Sequence, residues 1–124
     1  MTHGEEPIVY VVDDEPAIRQ AIALLLHVNG IQTQVFASPG EFLEMPSLPR
    51  RCCLVLDARM PGMSGLELLD RLAERKWAVP VFLITGHGDE NMLEAAHRKG
   101  VVKCFNKPFD NDDFVASIRN AMPS

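Results

Sequence analysis

IVYVVDD, residues 8–14, places five apolar residues in a row directly before two acidic ones. A strand with no polar interruption is typical of the centre of a parallel sheet, where helices cover both faces. Pro16 follows where a helix would begin, and the first helical turn tolerates proline. The stretch therefore predicts a central buried strand that leads through an acidic corner into a covering helix.

The same alternation of strand and helix continues along the chain. Short apolar or β-branched runs predict four further strands, at residues 32–36, 52–56, 81–84 and 101–105. Helical spacing and boundary residues predict five helices. The first runs from Pro16 to Asn29-Gly30, a short second begins at Ser38-Pro39, the third follows the Ser64 cap, the fourth covers about 89–99 before Gly100, and the fifth covers about 111–121. The apolar residues at helical spacing are Ile18, Ala21, Ile22, Leu25 and Leu26 in the first helix, Phe42 and Leu43 in the second, Leu66, Leu69 and Leu72 in the third, and Phe114, Val115, Ile118 and Met122 in the last.

Strands that alternate with helices define an α/β protein with a doubly wound parallel sheet. The 124 residues, 47% of them hydrophobic, suit one domain over 1–124 with an ordered core at about 7–121. A net charge of −5 and scattered basic residues argue against direct nucleic acid binding.

The cysteines and the hydropathy of the sequence indicate in which cellular compartment the protein works. Cys52, Cys53 and Cys104 are an odd set in apolar sequence, which favours reduced, packed thiols over a disulfide framework. We find no apolar run of membrane-spanning length and a polar, acidic amino terminus instead of a secretory signal. These features predict a soluble cytoplasmic protein without membrane contact.

Polar residues follow four of the five predicted strands. Asp13 and Asp14 follow the first, Asp57 the third, Thr85 the fourth and Lys107 the fifth. The carboxyl ends of parallel strands meet at one sheet edge, where open α/β sheets bind ligands. We therefore expect three carboxylates, a hydroxyl and an ammonium to converge there.

Crowded carboxylates repel each other unless a hard cation shares them or one stays protonated. Mg²⁺ suits this set, because it takes one or two carboxylates together with phosphate oxygens. A carboxylate can act as the nucleophile in aspartyl-phosphate chemistry, with cation and hydroxyl groups neutralising the phosphoryl oxygens. Taken singly, each acid also fits a simple helix N-cap.

Four ordered motifs carry a family resemblance across nearly the whole chain. They are VVDDE at 11–15, LDARMPGMSG at 56–65, LITGHGD at 83–89 and KPF at 107–109. The chain resembles the response regulator receiver domains of two-component systems. The second and third motifs are especially similar to the FixJ-type branch, whose members usually continue into a helix-turn-helix DNA-binding domain.

The resemblance implies a flavodoxin-like receiver fold with strand order 2-1-3-4-5 and a role for each residue. Asp57 would be the phosphoacceptor and would ligate Mg²⁺ directly with Asp14 and the backbone carbonyl of Arg59, while Asp13 would act through water. Thr85 would bind the phosphoryl oxygens, and Lys107 would form an ion pair and precede Pro108 through a cis peptide.

Three further positions are less determined. Arg59 and His87 lie two residues past Asp57 and Thr85, where the family places side chains that overhang the site; both also fit as solvated side chains. Cys104 stands where most receivers carry a switch aromatic. Adjacent strand residues face opposite ways, so Phe105 would not replace that aromatic. Cys104 fits either a small residue tolerated at that position or a redox group.

The resemblance implies a signalling switch, not an enzyme, with slow loss of its own phosphoryl group. A histidine kinase or histidine phosphotransfer protein would be the donor, and helix 4, strand 5 and helix 5 would form the output or homodimer surface. Output would be transcriptional through a domain absent here, or that of a stand-alone regulator or phosphate sink. Two alternatives are a flavodoxin-like cofactor protein, disfavoured by acids after the first strand, and an aspartate-nucleophile phosphatase, disfavoured by Arg59 in place of a second carboxylate.

Overall fold

The computed structural model describes residues 6–86 and 90–122. Five parallel strands form one sheet in the order β2-β1-β3-β4-β5. The strands are β1 (Ile8–Val12), β2 (Gln32–Phe36), β3 (Cys52–Asp57), β4 (Val81–Thr85) and β5 (Lys103–Asn106). The helices are α1 (Pro16–Val28), α2 (Pro39–Leu43), α3 (Gly65–Glu74), α4 (Glu90–Arg98) and α5 (Asn111–Ala121). The predicted doubly wound α/β fold and its strand order are confirmed.

Each face of the sheet carries its own hydrophobic cluster. The cluster under α1 and α5 includes Val9, Val11 and Phe114, whereas the cluster under α2, α3 and α4 includes Tyr10 and Val12. Alternate β1 residues therefore enter opposite clusters, as a strand buried on both faces requires. This double burial explains why the apolar run of residues 8–12 has no polar interruption.

Two turns after helices have the same structure. Gly30 and Gly100 have φ angles of +77° and +89°, which glycine adopts without strain. After each, the next amide returns to the helix: Ile31 N–H donates to Leu26 and Val101 N–H to Ala96, at 2.9 and 3.1 Å. The predicted helix ends at these glycines are confirmed.

The fifth strand corrects the sequence prediction. We expected residues 101–105, but β5 begins at Lys103 and ends at Asn106. The Val101 amide is used to close α4, and the Val102 side chain is 52% exposed. Val101 packs into the cluster under α2, α3 and α4, and the Val102 amide donates to the Val81 carbonyl at 2.8 Å, so these two residues lead into β5 without being part of it. The fourth helix is described from Glu90, so its predicted start at residue 89 lies outside the described residues.

Two helices bury the expected face with one difference each. In α3 the buried leucines are Leu68, Leu69 and Leu72, whereas Leu66 is only partly buried. In α1 the side chain of Ala21 is exposed although it continues the apolar spacing. A short amphipathic helix with several leucines permits more than one face from spacing alone, and packing on the sheet selects one.

Ser64 begins α3 with a complete capping box. Its hydroxyl accepts from the Glu67 amide at 3.2 Å, and the Glu67 carboxylate accepts from the Ser64 amide at 3.0 Å. Both contacts satisfy amides that the first helical turn leaves without partners. The predicted cap is confirmed.

Replacing Ser64 with alanine is expected to lower the free energy of unfolding by about 1 kcal/mol, because an N-cap side chain is lost. Urea denaturation would measure the change. Ser47, which is exposed in the loop between α2 and β3, offers a matched serine to alanine control that should change stability little. Equal losses in the two variants would contradict the capping role.

The three cysteines are free, with Cys52 and Cys53 buried and Cys104 partly buried. Burial raises the pKa of all three thiols, that of Cys53 to about 12. This supports packed thiols and argues against a reactive thiolate at Cys104. Within residues 6–86 and 90–122, no helix is both long and apolar enough to cross a membrane.

Candidate functional site

Three carboxylates meet at the carboxyl edge of the sheet. Asp13 and Asp14 follow β1, and Asp57 ends β3, the strand paired with β1. One oxygen from each lies within 4.8 Å of the other two. Asp13 and Asp57 are 1% and 6% exposed, and Asp14 is the most open of the three. We call these residues the acidic pocket.

Hydrogen bonds hold Asp13 and Asp57 in place in the acidic pocket. Asp13 Oδ1 accepts from the Glu15 amide at 2.9 Å, and the Asp13 carbonyl accepts from Arg19 Nη1 at 2.8 Å. Asp57 Oδ1 accepts from the Arg59 amide at 3.3 Å. In contrast, Asp13 Oδ2 is buried and has no hydrogen-bond partner within the described chain. A buried oxygen without a partner is costly and marks a place for a ligand.

The electrostatics of the pocket disfavour negative charge. Burial, followed by the nearby Asp13 carboxylate, raises the pKa of Asp57 to about 6; the Arg59 amide and Lys107 act in the opposite direction, and Asp14 adds to the rise. Burial also raises the pKa of Asp13. The protein alone thus leaves charge in this pocket undercompensated.

These features fit a hard divalent cation. The donors are all oxygens, they lie close together, and one is buried without a partner. Oxygen donors of this kind suit Mg²⁺, which keeps several waters and takes few protein ligands. Asp13, Asp14 and Asp57 would hold the ion. The Arg59 carbonyl, two residues after Asp57, is a further oxygen next to the pocket in sequence.

The hydroxyl and the ammonium reach the pocket on the last two strands. Thr85 ends β4 and is 2% exposed. Lys107 follows β5; its amide donates to the Thr85 carbonyl at 2.8 Å, and its charge lowers the pKa of both Asp13 and Asp57. The Lys107–Pro108 peptide is cis. Lys107 and Thr85 are thus brought to the same edge as the acids.

The three remaining candidates are placed differently. The side chain of Arg59 is exposed, in line with an overhanging position. His87 lies outside the described residues. Cys104 packs against the cluster under α2, α3 and α4, whereas Phe105 enters the opposite cluster, so the expectation that Phe105 faces the other way is confirmed.

Gly65 is a site residue that the sequence did not single out. A Cβ atom at this position would lie 2.8 Å from the Asp57 carbonyl oxygen and 3.3 Å from the Ala58 Cα. Its amide donates to the Ala58 carbonyl at 3.1 Å. The absence of a side chain therefore lets α3 begin against the strand end that carries Asp57. The only signal in the sequence was its place in the motif at 56–65.

The sheet order and the acidic pocket define a receiver-type signalling domain. The profile of the response regulator receiver domain matches residues 9–119, and the chain belongs to this family. Its relatives place it among receiver domains of the FixJ type, and members of the receiver family are generally signalling switches of two-component systems.

Two curated relatives show the extent of the likeness. The response regulator protein TmoT of Ectopseudomonas mendocina is 37% identical over 120 residues, which are 97% of this chain and 54% of TmoT. The transcriptional regulatory protein FixJ of Rhizobium meliloti is 39% identical over 113 residues, 91% of this chain and 55% of FixJ. The chain thus spans about half the length of the curated relatives it matches.

Solved structures agree with this assignment. The FixJ-N crystal structure is 37% identical, with a TM-score of 0.87 over 95% of this chain and 94% of that one. The response regulator StyR is 36% identical, with a TM-score of 0.88 over 95% of this chain and 60% of that one. The fold is therefore shared along almost the entire domain.

Proposed function

We propose that this domain accepts a phosphoryl group on the Asp57 carboxylate, in the presence of Mg²⁺, from a histidine kinase or a histidine phosphotransfer protein. The observation that carries the proposal is the acidic pocket itself, with its buried Asp13 oxygen that has no partner in the described chain. We assign direct metal ligation to Asp14, Asp57 and the Arg59 carbonyl, and ligation through water to Asp13.

In the transfer, a carboxylate oxygen of Asp57 attacks the phosphorus of the donor phosphohistidine. A new oxygen–phosphorus bond forms as the phosphorus–nitrogen bond breaks. The electron pair of the broken bond stays on that nitrogen, and a proton on the other ring nitrogen of the donor lets the imidazole leave as a neutral ring. The product on Asp57 is an acyl phosphate. Attack requires the ionised carboxylate, so the raised pKa of Asp57 would limit the metal-free protein. When bound, Mg²⁺ would supply the positive charge that favours ionisation and offsets phosphoryl charge.

The other two groups have separate tasks. Lys107 is close enough to lower the pKa of Asp13 and Asp57, so its ammonium would offset charge on the phosphoryl oxygens. The Thr85 hydroxyl, buried at the neighbouring strand end, would donate to one of those oxygens. Phosphoryl transfer depends mainly on such positioning and charge neutralisation.

The proposal predicts a gain of one phosphoryl mass when the protein is incubated with phosphoramidate and Mg²⁺. Intact-protein mass spectrometry would measure it. Asp57→Asn should show no gain, because it removes the nucleophile while keeping the shape of the side chain. Asp70→Asn, an exposed acid on α3 that pairs with Lys99, is the matched control and should be modified like the unaltered protein. An equal gain in Asp57→Asn, or none in the unaltered protein, would refute the acceptor role.

For output we propose control of transcription through a DNA-binding domain in the complete protein. The support is that FixJ relatives are named transcriptional regulatory proteins and are about twice as long as the matched segment. The surface of α4, β5 and α5 would transmit the signal or pair with a second copy. A stand-alone regulator or phosphate sink is the alternative, and the length of the complete gene product distinguishes the two.

A further inference from the structure

Thr85 and Asn106 face each other across the last two strands. They are register partners at the carboxyl ends of β4 and β5. The Thr85 hydroxyl donates to Asn106 Oδ1, with 3.4 Å between the two oxygens. Thr85 is almost fully buried, whereas Asn106 is exposed. This contact therefore joins a group of the candidate site to a surface residue.

The backbone around this contact is fixed. The Lys107 amide donates to the Thr85 carbonyl at 2.8 Å, immediately beyond the paired residues. A change of partner by the Thr85 hydroxyl would accordingly be a side-chain rotation and would not require the strands to move. A threonine hydroxyl has one proton to donate. While it donates that proton to Asn106, it does not donate it to a ligand in the pocket.

The preceding pair of side chains on this face of β4 and β5 carries no oxygen. Alternation along the strands places Thr85 with Leu83 on β4 and Asn106 with Cys104 on β5, and Leu83 and Cys104 are also register partners. Leu83 and Cys104 pack into the cluster under α2, α3 and α4. Of these four side chains, the two that carry oxygen are in contact with each other.

We propose that Asn106 is a positioning residue that holds the Thr85 hydroxyl proton in the resting domain. Binding of a phosphoryl group would then require the hydroxyl to exchange Asn106 Oδ1 for a phosphoryl oxygen. The exchange releases the Asn106 amide at the exposed edge strand, which carries the state of the buried site to the surface of β5. This inference rests on the proposed phosphoryl-binding function.

Removing the acceptor should favour the bound state. In Asn106→Ala the hydroxyl has no Asn106 bond to give up, so half-saturation by the phosphoryl mimic beryllium fluoride at fixed Mg²⁺ should need about 2- to 10-fold less mimic. Asn106→Asp keeps an acceptor oxygen and adds charge, which strengthens the bond. It should need more mimic than the unaltered protein. Isothermal titration calorimetry would measure both, and a purely structural role would not move them in opposite directions.

The Thr85→Val background tests the route of the effect. It removes the hydroxyl but retains the branched shape, so Asn106→Ala should no longer change the half-saturating concentration. In this background, any remaining change in the half-saturating concentration for Asn106→Asp measures the effect of the added carboxylate charge alone. Unchanged or weaker binding in Asn106→Ala, or an equal gain without the hydroxyl, would overturn the inference.

Stability without ligand separates this inference from the proposed function. The losses of urea midpoint in Asn106→Ala and Thr85→Val should be non-additive if the two side chains are bonded. Strict additivity would overturn the resting contact even if phosphorylation is normal. A protein that gains phosphoryl mass on Asp57 while Asn106→Ala binds the mimic normally would refute only the role of Asn106. No binding of mimic by the unaltered protein would refute both.

Discussion

Replacing Gly65 with alanine is expected to lower the free energy of unfolding by about 1–3 kcal/mol, the usual cost of overpacking. The new Cβ would lie 2.8 Å from the Asp57 carbonyl oxygen. That oxygen belongs to the backbone, so it cannot rotate away as the end of a flexible side chain would. Nor can α3 withdraw freely, because the Gly65 amide donates to Ala58. Urea denaturation followed by circular dichroism would measure the loss.

Gly40 provides the matched control. It lies in α2, where a Cβ would meet only the Ser38 hydroxyl, at 3.8 Å. Gly40→Ala should leave the free energy of unfolding unchanged or raise it by up to about 1 kcal/mol, since alanine suits a helix better than glycine. If Gly65→Ala proved as stable as Gly40→Ala, the close approach of α3 to the Asp57 strand end would be wrong.

The sheet was predictable because its signals are local. The apolar runs that became β1 and β3 are buried on both faces, and each ends on acids. Gly30 and Gly100 sit where a positive φ angle closes a helix, a requirement that the residue type itself reveals. In contrast, the strand order was predicted from the family resemblance, because the local sequence pattern does not determine which strands pair.

The errors occurred where two roles share one residue type. Val101 and Val102 are apolar and β-branched, as strand residues are, yet Val101 closes α4 and the strand begins at Lys103. Leu66 fits an apolar helical stripe but is only partly buried, whereas Leu68, outside the predicted stripe, is fully buried. Propensity cannot decide such cases, since the packing of distant segments does.

The site divides in the same way. Convergence of Asp13, Asp57 and Thr85 was predictable, because parallel strands bring their carboxyl ends to one edge. The contributions of Gly65 and Asn106 were not. Each depends on a distance between segments far apart in sequence, either α3 against the end of β3 or β4 against β5. Residue type at these two positions carries no comparable signal.

Neutralising Asp57 is expected to stabilise the metal-free domain at pH 7 by about 1–3 kcal/mol, because a tenfold change in proton affinity corresponds to about 1.4 kcal/mol between the two protonation states. The folded protein raises the pKa of this carboxyl from 3.8 to about 6, mainly through burial and then through Asp13. Asp57→Asn removes the buried charge at nearly constant shape. Asp13→Asn should act in the same direction, since burial raises the pKa of Asp13 too.

The sign of the pH dependence follows from the direction in which the pKa moves. A carboxyl with a raised pKa binds its proton more tightly in the folded state, so its contribution to stability is fully present below pH 3.8. That contribution is lost as the pH rises to about 6 and beyond. The difference in unfolding free energy, Asp57→Asn minus unaltered protein, should therefore grow between about pH 4 and pH 7. Glu94→Gln, which removes an exposed acid on α4, is the matched control for the loss of one carboxylate.

Magnesium should reduce the stability advantage of Asp57→Asn over the unaltered protein. Cation binding to the folded state adds stability, and it competes with the proton for the same carboxylates. Mg²⁺ should raise the unfolding free energy of the unaltered protein more than that of Asp57→Asn, and more at about pH 7.5 than at about pH 5.5. Equal Mg²⁺ effects in both proteins would contradict a site shared by Asp13, Asp14 and Asp57. The repulsion that weakens the metal-free domain is thus the same property that lets the pocket bind a cation, because neither could exist if the protein itself neutralised these carboxylates.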